Sequence, residues 1–346
     1  MTAASDACPS PSGPPPRLKL RSPLDLVEAI PFLFGYHPAE SLVVLGLRKG
    51  RVGMSMRLDL CPDQEMLIDS VVDFFRSEWP EQILAVVYDC TCTPAPALAA
   101  GLRTRFNDEG VGVREVALVR SGRCYSLMCS NDRCCPREGW PLPEPDPLMV
   151  SAMAATLGAD VPLSSRDSLV ARLQPVQGAQ AERMRDALDT AAADFEARVN
   201  SGMALVGQDG VKAALASIDR AAAKLAPGDG RQPLSDADAA SLIVAMLDPQ
   251  VRDMAIAHTV ARKDEATYEE VWVELTRRAV DDWAAPVATA AALFAWQRGS
   301  GTRARVAVER ALDADPQYRL ALLLEHALDV GMPPALWGES LRELLR

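Results

Sequence analysis

LDLVEAIPFLFGYHPAESLVVLGLRKGRVGMSMRLDL, residues 24–60, is the stretch from which the rest of the fold is read. Leu24 to Phe34 is apolar at helical intervals, and Gly35-Tyr36-His37-Pro38 breaks the pattern with turn chemistry. Two strand-like runs follow, joined at Lys49-Gly50. A two-residue connection with glycine second predicts a tight primed turn, because glycine takes positive φ without a Cβ penalty. Pairing outward from that turn sets Leu47 against Val52, Leu45 against Met54, Val43 against Met56 and Ser41 against Leu58, all on one apolar face. Leu42 and Val44 make the other face of the first strand apolar too, whereas Ser55, Arg57 and Asp59 make the second strand polar there. The first strand is therefore expected at the centre of a sheet and the second nearer its edge. Arg57 and Asp59 then close the end of the sheet where Gly35 to Pro38 enter.

Downstream, Pro62–Trp79 carries apolar residues near helical spacing. Ile83–Tyr88 is a continuous apolar run ending at Asp89, and a helix is predicted over Ala97–Glu109. Two more strands, Val113–Arg120 and Arg123–Cys129, meet at Ser121-Gly122. A strand apolar on both faces between two helices reads as part of an α/β layer. The expected fold class is an α/β N-terminal domain, a mixed sheet of order ββαβαββ with an opening helix, followed by an all-α C-terminal region.

Residues 1–16 are rich in Pro, Ser and Gly and read as a disordered leader. The α/β domain is placed at 17–135, a proline-rich linker or ordered loop at 136–147, and the helical region at 148–346. Helices are expected at 148–157, 179–200, 211–225, 236–247, 250–261, 267–282, 285–297, 303–314 and 318–330. Ser235 with Asp238 three residues on marks the start of one of them. Small residues Ala291, Ala292, Ala295, Ala304, Ala307 and Ala311, with Asp315-Pro316 as a stop, make the end of this region tetratricopeptide-like.

A net charge of −11 argues against a general nucleic-acid or anionic-membrane binder, since both need a basic surface. No uninterrupted apolar run is long enough for a membrane span, and the first residues lack a basic segment followed by an apolar one. The expected address is cytoplasmic, where the eight cysteines default to thiols or metal ligands.

Candidate chemistry gathers at two places. At the corner, Arg57 suits an anion, and Asp59 or Asp89 suits a base or metal ligand. The alternative is an internal Arg57–Asp59 ion pair that anchors the opening turn. His37 is a base or ligand candidate, or a loop histidine that hydrogen-bonds its surroundings. No phosphate-binding glycine loop, HExxH or GxSxG sequence occurs. In CSNDRCCP, Cys129, Cys134 and Cys135 fit a metal such as zinc, a reversible disulfide, or simple packing. Cys90 and Cys92 would complete a four-cysteine site only if the fold brings them close.

Three motifs carry a resemblance: Ser22-Pro23-Leu24-Asp25-Leu26, Pro31 through Val43, and Arg57-Leu58-Asp59-Leu60. The chain resembles the actinobacterial family known as domain of unknown function 4192. The likeness continues through Cys134-Cys135-Pro136 into the C-terminal helices and implies membership without an activity. Two functions follow as expectations. One is a cytoplasmic, non-enzymatic interaction or regulatory protein, with a small-ligand site on the α/β domain and a protein partner on helices within 285–330. The other is a hydrolase or transferase for a small anionic substrate at His37, Arg57, Asp59 and Asp89.

Overall fold

The computed structural model describes residues 20–88, 94–144, 146–157, 160–201, 208–226, 228 and 230–338. The expected leader, Asp89, Cys90, Cys92 and the last residues of the helical region lie outside them. The opening helix α1 spans Pro23–Phe34. The Ser22 hydroxyl accepts the Asp25 N–H at its start, and Gly35 at φ +78° ends it by donating to the Pro31 carbonyl.

Strands β1 (Ser41–Arg48) and β2 (Arg51–Asp59) form the expected hairpin, with Lys49 and Gly50 both at positive φ. Its register departs from the expected one beyond Leu47–Val52. Leu45 faces Ser55, Val43 faces Arg57 and Ser41 faces Asp59, because a bulge sets Gly53 and Met54 against Gly46 alone. The bulge sits where the backbone presses on the core: a Cβ at Gly46 would lie 2.7 Å from the Phe75 ring and 3.1 Å from Pro80. A one-residue shift exchanges the faces of a strand. Met56 and Leu58 consequently join Leu42 and Val44 on one face. Ser55, Arg57 and Asp59 join Val43 and Leu45 on the other.

Helix α2 (Gln64–Phe75), strand β3 (Gln82–Tyr88), helix α3 (Ala95–Asp108) and strands β4 (Gly112–Arg120) and β5 (Arg123–Ser126) follow in the expected order. The proline-rich stretch adds a short sixth strand, β6 (Trp140–Pro141). Arg123 holds it down by donating to the Glu138 and Gly139 carbonyls. The sheet order is β2-β1-β3-β4-β5-β6, with β2 at the edge, β1 next to it and paired on both sides, and β3 and β4 parallel. β5 is shorter than expected because the Ser126 hydroxyl accepts the N–H groups of Met128 and Cys129 and turns the chain out of the sheet.

The helical region comprises α4 (Pro147–Leu157), α5 (Arg166–Ala171), α6 (Ala179–Asn200), α7 (Gln208–Leu225), α8 (Asp236–Ala245), α9 (Pro249–Val260), α10 (Glu265–Arg278), α11 (Ala284–Gln297), α12 (Gly301–Ala314) and α13 (Arg319–Asp329). The Ser235 cap on Asp238 N–H is present. Helix α11 is buried on every side from Ala284 to Trp296 and is the centre around which the others pack. A unit of a tetratricopeptide array keeps one face open, so that likeness is not confirmed.

Helices α2 and α3 cover the Leu42/Val44 face of the sheet. The Val43/Leu45 face shares one continuous buried cluster with α1 and helices α5 to α13. The sheet is thus sandwiched, and its edge strand β2 meets the helical region at the corner singled out above.

Candidate functional site

The corner is held by backbone. His37 N–H donates to the Leu163 carbonyl at 3.0 Å, and Leu163 N–H donates back to the Gly35 carbonyl at 2.8 Å. This bridge carries the chain directly into α5, whose Ser165 cap starts the helix at Arg166. On the sheet, Asp59, Ser41 and Tyr88 stand in one cross-strand row on the inner face, and Arg57, Val43 and Val86 in the next.

Arg57 Nη2 lies 2.6 Å from Asp59 Oδ1 and 3.4 Å from the Ala39 carbonyl. The Arg57 side chain is 15% exposed and that of Asp59 is 81% exposed, so the pair spans from interior to water. Arg57 Nε is buried and has no hydrogen-bond partner, as are the hydroxyls of Ser41 and Tyr88. Buried donors without partners carry the full desolvation cost, roughly 1–3 kcal/mol each. Tyr36 is buried beside them. Desolvation pushes its hydroxyl pKa up, partly offset by the Arg57 and Arg166 charges. The Tyr88 hydroxyl is pushed up further, chiefly by burial. Arg166 Nη2 donates to both oxygens of Glu309 on α12, at 2.6 and 2.5 Å.

Tyr36, Arg57, Asp59, Arg166 and Glu309 line an open groove of about 1020 Å³ between β2 and helices α12 and α13. Met54, Met56 and Phe74 form the sheet-side wall, and Trp296, Leu328 and Met332 the helical side. The structure brings Arg57 and Asp59 into it together. His37 is exposed and stands outside its walls, and partial desolvation lowers its pKa. Asp89 lies outside the described residues.

The cysteine loop is a separate site. Sγ atoms of Cys129, Cys134 and Cys135 all lie within 4.8 Å of one another, with Cys129 and Cys134 at 3.3 Å. Asn131 organises them: its carbonyl accepts the N–H groups of Cys134 and Cys135 and the Cys134 thiol. The Asn131 backbone, with smaller contributions from Cys135 and Cys134, lowers the Cys129 pKa. Burial, then the neighbouring thiols, pushes Cys135 up to about 12. Cys124 does not join them. It is buried on the inner sheet face, and its thiol is pushed up to about 12 by desolvation.

The sequence profile of one family, described as Domain of unknown function (DUF4192), matches residues 23–335, from α1 through the turn after α13. The chain belongs to this family. No curated protein matches it, and no solved structure does. The family name carries no activity, so the geometry must supply the functional reading.

One further polar cluster lies in the helical region. Asp219 on α7 sits 2.8 Å from His258 Nε2 on α9 and accepts from the Tyr268 hydroxyl on α10 at 2.7 Å, with Arg262 at 3.0 Å. Burial raises the Asp219 pKa, but the His258 and Tyr268 hydrogen bonds outweigh it and hold the carboxyl below its usual range. The cluster ties three helices together.

Tyr36, Arg166 and Glu309 were not singled out as site residues by sequence. Arg166 and Glu309 are 143 positions apart, and α5 is too short to show a period. The local signal in that segment is Ser165, whose hydroxyl accepts the Ser168 N–H and caps α5.

Proposed function

We propose that this family member is a cytoplasmic, non-enzymatic binding protein that takes a small anionic ligand into the groove between β2 and α12–α13. The observation that carries the reading is Arg57, which lines the groove beside Arg166 and Tyr36 and whose guanidinium is left with an unpartnered Nε. A carboxylate or phosphate oxygen in the groove would give that guanidinium a further charge-assisted hydrogen bond. Because the groove is walled by the sheet edge on one side and helices on the other, an occupant touches both at once. Binding would therefore bias how the edge strand meets the helical region, the element a regulatory protein needs.

Among the described residues the corner holds no nucleophile hydrogen-bonded to a base, which favours binding over turnover. Inorganic phosphate, pyrophosphate and citrate serve as probes in thermal-shift and calorimetric titrations. At least one is expected to bind, and Arg57→Ala is expected to weaken it by about 10- to 100-fold, the loss of one charged hydrogen bond. Equal binding by a folded Arg57→Ala variant would contradict the site. Steady chemical conversion of a bound compound would replace this reading with the hydrolase or transferase one.

A protein partner on the C-terminal helices belongs to the same proposal. Helix α11 is wholly interior, so the surface on offer is α13, where Leu322 and Leu323 face solvent. Leu323→Glu is expected to leave stability unchanged and to abolish co-purification of that partner. Undiminished co-purification would remove α13 from the interface.

A further inference from the structure

The cysteine loop lies apart from the groove and poses its own question. A disulfide would account for two of its sulfurs and leave the third beside them. A soft metal ion accounts for all three. We infer that Cys129, Cys134 and Cys135 bind one zinc ion through three thiolates, with the fourth tetrahedral position open to water or an external ligand.

The distances fit the ion. Zinc–sulfur bonds of about 2.3 Å in a tetrahedron set sulfurs about 3.8 Å apart. The three Sγ atoms are already within 4.8 Å, and the tightest pair is at 3.3 Å. Bringing them to that spacing changes the sulfur separations by about 1 Å or less.

That backbone is fixed independently of the sulfurs. Cys129 N–H donates to the Ser126 hydroxyl at 3.1 Å, which in turn donates to Glu115 at 2.8 Å. Cys134 and Cys135 N–H groups converge on the Asn131 carbonyl at 3.1 and 2.8 Å. Pre-organised ligands with a supporting shell are what metal affinity depends on. Access is present as well, since Cys134 is exposed and its two neighbours are half-buried.

Three protein ligands and an open place are the arrangement of zinc sites that do more than hold a fold. Binding exchanges thiol protons for the metal, so affinity should rise with pH. No oxidant or reductant is required.

The test uses the full chain, purified reduced and without oxygen, then given zinc alone. A native mass spectrum should show one retained zinc, and titration against a chromophoric chelator should give its affinity. Removing an outer-shell partner costs about 10- to 100-fold in such sites, so loss of a ligand itself should cost at least about 100-fold. Cys129→Ser, Cys134→Ser and Cys135→Ser should each show that loss. Cys61→Ser and Arg57→Ala should bind as the wild type does, which keeps this outcome separate from that of the groove. Cobalt in place of zinc should give thiolate charge-transfer absorption that weakens in each of the three variants. Failure to retain zinc, retention undiminished in the three variants, or a Cys129–Cys134 disulfide in the oxygen-free preparation would each overturn the inference. Loss of zinc in Cys90→Ser or Cys92→Ser would overturn the open fourth position.

Discussion

Arg57 shows what a single register step decides. Its presence at the corner was legible, because the Lys49-Gly50 turn and the strand length fix where it ends up along the sheet. Its face was not, because the bulge opposite Gly46 moves every later β2 residue by one. Gly46 looked like any small residue in an apolar strand, and only Phe75 pressing on its backbone reveals the reason for it. Gly46→Ala drives a methyl group into a buried ring and is expected to destabilise the protein by about 1–3 kcal/mol in urea unfolding. Stability within about 0.5 kcal/mol of wild type, the range of an ordinary surface change, would mean that Phe75 does not pin the bulge. The three cysteines were legible as a group for a simpler reason: five positions separate Cys129 from Cys134, and local contacts survive translation from sequence to structure. Tyr36 was legible as part of a turn and illegible as a floor residue, since its burial depends on Leu163 and α5.

Elements with many periods were readable and short ones were not. The helix at Ala179–Asn200 has the boundaries expected from its pattern, and α7 to α13 agree within a few residues. Helix α10 stops at Arg278, short of the expected Asp282, because Ala279 and Val280 turn to extended backbone. Helix α5, six residues long, carries Arg166 to the groove and left no periodic trace. Between elements, the Asp219 cluster gives a pH test with a definite sign. Its carboxyl pKa is lower folded than unfolded, so its stabilisation is present above the unfolded pKa and is lost as pH falls through the folded one. The stability difference between wild type and Asp219→Asn should therefore shrink on acidification below the usual aspartate range, measured by denaturant unfolding. A difference that stays constant there would show that the cluster does not tie α7 to α9 and α10 through that charge.

For the molecule as a whole, fold class and the order of strands along the chain were readable, while the way the two halves meet was not. Alternation shows that a face is buried without naming its cover. The cover is a cluster that runs from the inner sheet face through α1 and into α5 to α13. It leaves the groove as the place where sheet edge and helices approach without closing. Among the described residues no helix is long and apolar enough to cross a membrane. A small anion that enters that groove, as proposed, engages both of its sides. Amide hydrogen exchange of the full chain, with and without a saturating amount of whichever of phosphate, pyrophosphate and citrate binds, reads that engagement directly. Protection of the end of β2, the turn at 35–40 and α5, absent in Arg57→Ala, is the predicted result. Protection elsewhere only, or the same protection in Arg57→Ala, would contradict it.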